Sequence, residues 1–377
     1  MTKPYVRQLA REFYEKRCEG WNDVDIANYY DRSESGVRGG ISEYKALIEW
    51  ESQQTATKAP IEFPKSPHDL DDPLPKLKQS VKPTAIRSLT GGNHDTDDFN
   101  KRYNDLKQRK RFITVFFPFD KHIPFHDKDA IALDHVIMRD IGADIIVHGS
   151  DVFDFPTISR HQPDYELRNN PSFDDVYYNV ERDYRYDTDL LASVGGAPLI
   201  PFIYGNHDRR FVDMALESDA PRLLIEQFIS MVRNEGTVHY LGLTQELLLD
   251  TLFIRHDGGI SKHTAATMLS RDNSVHHVAG HTHRSDYFSH TSKLFRRHSM
   301  VVGCRCDLNP HYQTKLGKHT SNWNQSLGFC ILDTQTGNAQ MYDLEYYRDG
   351  SHIYAMNGSD TYKVQLSHDN ESNKLYK

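Results

Sequence analysis

The sequence predicts a layered α/β fold, and three observations predict it. Apolar, β-branched runs alternate with amphipathic stretches. Metal-ligand side chains stand directly after five of those runs. Three further apolar runs follow near the C-terminus with no helical pattern between them. Strands separated by helices give stacked layers, and sites in such folds form at the carboxyl ends of the strands.

Taken in order, residues 1–50 read as a small helical domain. Tyr5, Leu9 and Phe13 recur at helical spacing. Asn22 is placed to cap a second helix over NDVDIANYY. A third is expected after Ser33. The stretch DVDIANYYDRSESGVRGGISEYK has the spacing of a helix-turn-helix, although Gly36, Gly39 and Gly40 are poor helix residues. Residues 51–111 are rich in proline and read as a linker with a basic end, KRYNDLKQRKR. Residues 112–377 form the main domain. There FITVFF, ADIIVHG, PLIPFIYG, ELLLDTLFIRH and SVHHVAGH read as strands. Asp129–Ile141 and RLLIEQFISMV read as helices, and SMVVGCRC, LGFCILDT and NAQMYDLEYY as closing strands. Residues 156–195, charged and rich in tyrosine, read as an insertion.

A formal charge of −8 does not advertise a nucleic-acid binder, but it leaves room for a local basic patch. The four cysteines, Cys18, Cys304, Cys306 and Cys330, make no disulfide framework. Cys304-Arg305-Cys306 alone is a weak zinc signal, and free buried thiols are expected. The start MTKPYVRQLAREFYEKR lacks the apolar centre of a signal peptide. No run approaches the roughly 18 apolar residues of a membrane span. The expected setting is therefore a reducing cytoplasm, with no membrane partner.

The strand ends carry the chemistry. Asp120-Lys121-His122 follows the first strand, Ser150-Asp151 the second, and Asn206-His207-Asp208 the third. His256 follows the fourth, and His281-Thr282-His283 the fifth. Mixed carboxylate, imidazole and amide groups suit divalent first-row metals. The tetrapeptide Gly-Asn-His-Asp occurs twice, at 92–95 and 205–208, but only the second copy follows an apolar strand. The first reads as a polar turn.

This ordered set, DKH, GSD, GNHD, RHDGG and GHTH, resembles the calcineurin-like metallophosphoesterase superfamily over roughly residues 112–335. The segment GCRCDLNPHYQTK…SNWNQSLGFCIL is similar to bacteriophage-encoded members, which would put the protein in a bacterial host cytoplasm. The resemblance implies a four-layer β-sandwich flanked by helices and a pair of divalent ions. Mn²⁺ is the first choice, with Zn²⁺, Fe or Ni²⁺ as other candidates. It implies that Asp120, His122, Asp151 and His283 hold one ion, that Asp151, Asn206, His256 and His281 hold the other, and that Asp151 bridges. It further implies that His207 acts as general acid and that Asp208 orients it. Ser150 stands where the family has glycine, a tolerable change if the turn needs no positive φ. Asp154 either stands beside the ligands or caps the next helix. His126 and His148 read as supporting or incidental, and Phe202 and Tyr204 as strand packing.

For substrate, the GSD segment lacks the GDxVDRG form of phosphoprotein phosphatases. Residues 1–50 hold eight Lys/Arg against nine Asp/Glu, and residues 51–111 twelve against nine. Arg38, Arg109, Lys110 and Arg111 are the candidate nucleic-acid contacts. Tyr177, Tyr178, Tyr184, Tyr186 and Trp323 can stack on bases or pack. The expectation is hydrolysis of phosphoesters in nucleic acid, DNA first. One alternative is a phosphatase or phosphodiesterase for a small nucleotide or phosphoprotein. The other is a DNA-binding regulatory protein that keeps the fold.

Overall fold

The computed structural model describes residues 94–158, 173–219, 221–292, 295–308 and 322–367, with 16–17, 22, 24–26, 37 and 41 near the N-terminus. In chain order the elements begin with α1 (His94–Arg109), β1 (Phe112–Phe117), α2 (Lys128–Ile141), β2 (Ile145–Ile146), β3 (His148–Gly149), α3 (Phe173–Ala192) and β4 (Pro201–Ile203). Next come α4 (Asn206–Glu217), α5 (Pro221–Arg233), β5 (His239–Tyr240), β6 (Glu246–Leu249), β7 (Leu252–Arg255), α6 (Thr264–Arg271) and β8 (His276–Ala279). The chain continues with β9 (Asp286–Thr291), β10 (Arg296–Val301), β11 (Ser326–Asp333), β12 (Asn338–Glu345), β13 (Tyr347–Arg348), β14 (His352–Asn357) and β15 (Asp360–Gln365).

This is a mixed α/β architecture, and β1 explains its layering. Successive strand residues face opposite sides. Ile113, Val115 and Phe117 enter one core while Phe116 enters another. The first core joins β1, β2 and β11 to Leu247, Leu249, Leu252, Ile254, Val278 and Met300 of a second sheet. The other joins Phe116, Ile146, Phe202 and Phe329 to α2, α3, α4 and α5. A small cluster of Ala265, Met268, Ala279 and Val301 seats α6 on the second sheet.

The first sheet runs β12-β11-β1-β2, with β1 parallel to β2 and antiparallel to β11. β3, β4 and β5 continue it in parallel, tied on by an Ile145–Leu199 bridge. The second runs β6-β7-β8-β10-β9, its three central strands parallel. The antiparallel β13-β14-β15 sheet lies against α2 through Ile353, Ala355 and Tyr362, whose hydroxyl donates to Asp140. Among the described residues, no helix is long and apolar enough to cross a membrane.

Three segments differ from expectation. Residues 94–109, expected within the linker, are helix α1. Its Phe99 and Tyr103 are fully buried, each contributing about 2–3 kcal/mol of apolar burial. The first Gly-Asn-His-Asp copy therefore ends inside α1, where Asp95 accepts a 2.6 Å bond from Arg233; Gly92 and Asn93 lie outside the described residues. Part of the expected insertion is α3, whose Val176, Val180, Tyr184 and Leu191 are core; residues 159–172 lie outside the described set. The run ELLLDTLFIRH is a hairpin rather than one strand. Asp250, at φ 52°, turns the chain between β6 and β7, pairing Leu249 with Leu252.

In the N-terminal region, the Asn22 side chain accepts from the Asp25 N–H at 2.9 Å, as a cap does. Ile26, Val37 and Ile41 are buried. The remaining expectations for residues 1–50, Arg38 among them, and all of those for 51–93 lie outside the described residues.

Candidate metal centre

Parallel strands bring their carboxyl ends to one edge, and there the five motifs meet. The loop after β1 carries Asp120 and His122. It is stitched to the loop after β3 by Asp120 N–H to Ser150 O at 2.7 Å and His122 N–H to Asp151 O at 3.0 Å. Asn206 and His207 open α4 after β4, His256 follows β7, and His281 and His283 follow β8.

Asp120 and Asp151 are each held by one oxygen. Asp151 Oδ1 accepts from the His207 N–H at 2.7 Å, at the N-terminus of α4. Its Oδ2 lies 3.6 Å from His256 Nε2 and 4.0 Å from His122 Nε2. Asp120 Oδ2 accepts from the His281 N–H at 2.8 Å, and Oδ1 faces His283 Nε2 at 3.8 Å. Two glycines make these approaches fit. A Cβ on Gly205 would fall 2.0 Å from Asp151 Oδ1, and one on Gly280 would fall 2.4 Å from Asp120 Oδ2.

The backbone is strained where the candidate ligands sit. Asp120, His122, Ser150, Asp151, His281 and His283 all have φ between 52° and 73°. Such positions cost on the order of 1 kcal/mol each and persist where function constrains them. Ser150 thus corrects the expectation for its turn, because a positive φ is required there. Its hydroxyl compensates by pairing with His256 Nδ1 at 2.8 Å, which leaves Nε2 facing the pocket.

The residues fit divalent metal. Ligand atoms of Asp120, His122 and His283 lie within 4.8 Å of one another, as do those of Asp151, His256 and His281. Asn206 Oδ1 joins the latter at 2.7 Å from His256 Nε2. His122 Nε2 and His283 Nε2 stand 3.0 Å apart. Two imidazoles at ~2.1 Å from one ion and at a right angle would be separated by about the same distance. Asp120 Oδ1 is buried with no hydrogen-bond partner among the described residues. Burial, then the charge of Asp151, pushes the Asp120 carboxyl well above its ordinary value. Burial, then His122, pushes His283 well below its own. Packed acids and dry imidazoles of this kind call for a cation.

Beside them sits His207, whose Nδ1 lies 3.2 Å from Asp154 Oδ2. Burial opposes its protonation, but the carboxylates of Asp154 and Asp151 outweigh burial and raise its pKa. The expected orienter, Asp208, does something else. Its two oxygens accept from the Phe153 and Gly205 N–H groups, both at 2.7 Å, and so cap α4. Burial, then Asp151, moves its carboxyl up to about 7. Asp154 is the residue that orients His207, and it lies 3.4 Å from His122 Nδ1 as well.

Sequence reasoning missed Arg210. Its guanidinium lies 3.0 Å from both ring nitrogens of His207 and 3.6 Å from Asp154. Position i+3 from His207 on α4 was the available signal. His148 donates to Asp187 at 2.8 Å, and Asp187 holds the fully buried Lys121 ammonium at 2.5 Å. Burial, tempered by Asp183 and Asp187, lowers His126 to about 4. Phe202 and Tyr204 lie in the core.

Of the candidate nucleic-acid contacts, Lys110 pairs with both oxygens of Asp144 and Arg111 forks onto Asp333. Arg109 bonds the Asp105 carbonyl. Lys110 and Arg111 tie the chain entering β1 to Asp144, just before β2, and to Asp333, at the end of β11; the Arg109 bond stays within α1, and all three side chains are exposed. Tyr184 is core, and Tyr177 packs with Phe155, Phe173 and Phe211. Tyr178 and Tyr186 are exposed. Trp323 is half-buried against His283, with ring centroids 4.1 Å apart.

No protein-family model matches the chain. It is similar to the "Gene 54 protein" of Mycobacterium phage L5, 27% identical over 248 residues, spanning 60% of this chain and 90% of the phage protein. One solved structure aligns with 62% of this chain and 98% of its own, at 9% identity and a TM-score of 0.29. That score supports no conclusion about a shared fold.

Proposed function

We propose that the protein is a dinuclear metal-dependent phosphoesterase of the calcineurin-like kind, acting on phosphoesters in nucleic acid. One observation carries the reading: residues from five separate strand ends form two ligand groups, and Asp151 stands between them. The two facing sheets with helices outside them are compatible with that family's sandwich.

Asp120, His122, Asp151, Asn206, His256, His281 and His283 would hold the ions, which would supply a hydroxide at neutral pH and contacts to phosphoryl oxygens. His207 donates a proton from Nε2 to the leaving oxygen while Asp154 holds its Nδ1–H. Arg210, released from the ring face, binds a non-bridging phosphate oxygen. Trp323, beside His283, offers a flat apolar face to a base. Support for a polymer rests on this face and on the helix-turn-helix-like spacing, since Lys110 and Arg111 are already paired.

The test is to load the protein with Mn²⁺ and offer end-labelled single- and double-stranded DNA and RNA beside mononucleotides and cyclic nucleotides. The comparison chain starts at residue 94, because α1 belongs to the fold. Shortened polymer, with weaker and less salt-sensitive binding after truncation, is expected. Hydrolysis of small molecules alone, unchanged by truncation, would favour a nucleotide phosphatase or phosphodiesterase. Absence of metal-dependent hydrolysis in every arm would leave the DNA-binding alternative. Asp151→Asn should lower turnover more than loss of any ligand serving one ion.

A further inference from the structure

The far side of His283 holds a second set of ligands. After β10 the chain runs extended through Gly303-Cys304-Arg305-Cys306, and residues two apart on extended chain face the same way. Arg305 turns away, to Asp134 at 3.1 Å and the Gly303 carbonyl at 2.8 Å. Cys304 and Cys306 are left to present their sulfurs together, both buried and both free thiols. Cys306 Sγ lies 4.0 Å from His283 Nδ1. The ligand atoms of His283, Cys304 and Cys306 lie within 4.8 Å of one another.

We propose that His283 Nδ1 and the thiolates of Cys304 and Cys306 form a soft-metal position that takes Zn²⁺ or Cd²⁺, separate from the carboxylate-rich pocket. Two sulfurs and one imidazole nitrogen are a soft donor set. Tetrahedral zinc, at ~2.3 Å to sulfur and ~2.0–2.1 Å to nitrogen, separates those atoms by about 3.6 Å. The 4.0 Å gap between Cys306 Sγ and His283 Nδ1 must close by about 0.4 Å, and no pair in the set stands more than 4.8 Å apart. The Asn324 carbonyl, which accepts from the Cys304 N–H at 3.0 Å and lies 3.6 Å from its Sγ, stands next to the set as the nearest oxygen for a fourth position. Entry of the ion displaces two thiol protons, so two positive charges leave as two arrive, and the buried site stays neutral.

The position is coupled to the pocket through one ring. A neutral imidazole has one lone-pair nitrogen, and His283 Nε2 already faces Asp120 and His122. Unless the ring loses its last proton, filling the soft position removes a ligand from the hard one. This assignment rests on the thiol–imidazole geometry alone and stands whether or not the protein hydrolyses phosphoesters.

The experiment titrates the full chain with Cd²⁺ and reads the thiolate-to-cadmium charge-transfer absorption. One equivalent should generate the band. Cys304→Ser and Cys306→Ser should each abolish it, and a Cys18→Ser, Cys330→Ser chain should keep it. Mn²⁺ binding, followed by water-proton relaxation, should weaken in the Cd²⁺-loaded wild type and not in the Cys304→Ser, Cys306→Ser double variant. Should the serine variants fail to fold, ¹¹³Cd resonance of the unsubstituted chain decides: a shift in the mixed sulfur–nitrogen range supports the site. A shift confined to oxygen–nitrogen ligation overturns it, as does a thiolate band that survives in the double variant or never forms.

Discussion

Ser150 shows what a single residue contributes here. At φ 63° its Cβ is strained, and its hydroxyl holds the Nδ1 of His256 at 2.8 Å. Strain and hydrogen bond separate under substitution. Ser150→Gly loses the bond and relieves the strain, whereas Ser150→Ala loses the bond and keeps the strain. The glycine variant should be more stable than the alanine variant by about 1 kcal/mol, while both bind metal roughly 10–100-fold more weakly. Urea denaturation and calorimetric Mn²⁺ titration read the two effects, and equal stability of the pair would sink the strain account. The two aspartates around His207 make a second contrast. Asp154→Asn should lower turnover with the fold intact, because Asp154 touches His207. Asp208→Asn should instead cost about 1–3 kcal/mol, since an amide cannot accept from both the Phe153 and Gly205 N–H groups. His207→Asn should keep its metal and lose about 10²–10⁴ in rate. Asp208 destabilised no more than Asp154, in thermal melts of the two variants, would reverse their assignment. The candidate ligands were legible because each follows an apolar run, whereas the roles of Asp154 and Arg210 were not. Those depend on where α4 points, which no local pattern encodes.

Helix α3 carries the same lesson one level up. Its charges hid its inner face, because Asp183, Tyr184 and Asp187 turn inward along with Val176, Val180 and Leu191. A polar group inside a helix stripe reads as exposure until its partner is known. The partner of Asp187 is Lys121, buried between Asp120 and His122. Burial alone would raise the Asp187 carboxyl, but the Lys121 ammonium and His148 hold it below its ordinary value. Breaking such a pair leaves a buried charge uncompensated. Asp187→Asn should cost about 3–5 kcal/mol, and metal affinity should fall with it because the loop between β1 and α2 is released. Adding Lys121→Met removes the orphaned charge, and an amide oxygen at 187 still accepts from His148. The double variant should therefore regain most of the stability in chemical denaturation. A double variant as unstable as the single would mean that α3 holds the loop by packing and not by charge. Helix α1 was missed for a related reason: its many charges, four Lys/Arg and four Asp, drew attention from Phe99 and Tyr103, four residues apart on one face.

Across the whole molecule, strand and helix alternation was readable from apolar runs, and so was the edge at which the motifs would gather. The hairpin of β6 and β7, the edge strand β9 and the β13-β14-β15 sheet were not, since each is short or half-exposed and was set by its neighbours. The same burial that builds the layers makes stability depend on pH. His126 and His148 are lowered to about 4 and His276 to about 3, in each case chiefly by burial. His276 lies at the opposite end of β8 from the ligands, where its Nδ1 accepts from the His298 N–H at 3.1 Å. In the unfolded chain each of the three binds a proton near pH 6.5. Above that value both states are neutral at these groups and stability is level. Between about 6.5 and 4 the unfolded state holds more protons, so stability falls as pH falls, by on the order of 1 kcal/mol per group per pH unit. Below the ordinary carboxylate value, protonation of Asp187 removes more. The raised carboxyls of Asp120 and Asp208 act in the opposite sense over this window, so the imidazole contribution is read by difference. Metal-free His276→Gln, which cannot titrate at that position, should lose less stability than the wild type as pH falls from 6.5 to 5, read as thermal midpoints, with metal affinity unchanged. A difference between the two midpoints that stays constant over the window would mean that water reaches the His276 imidazole in the folded state, and that its surroundings on β8 are less dry than their packing implies.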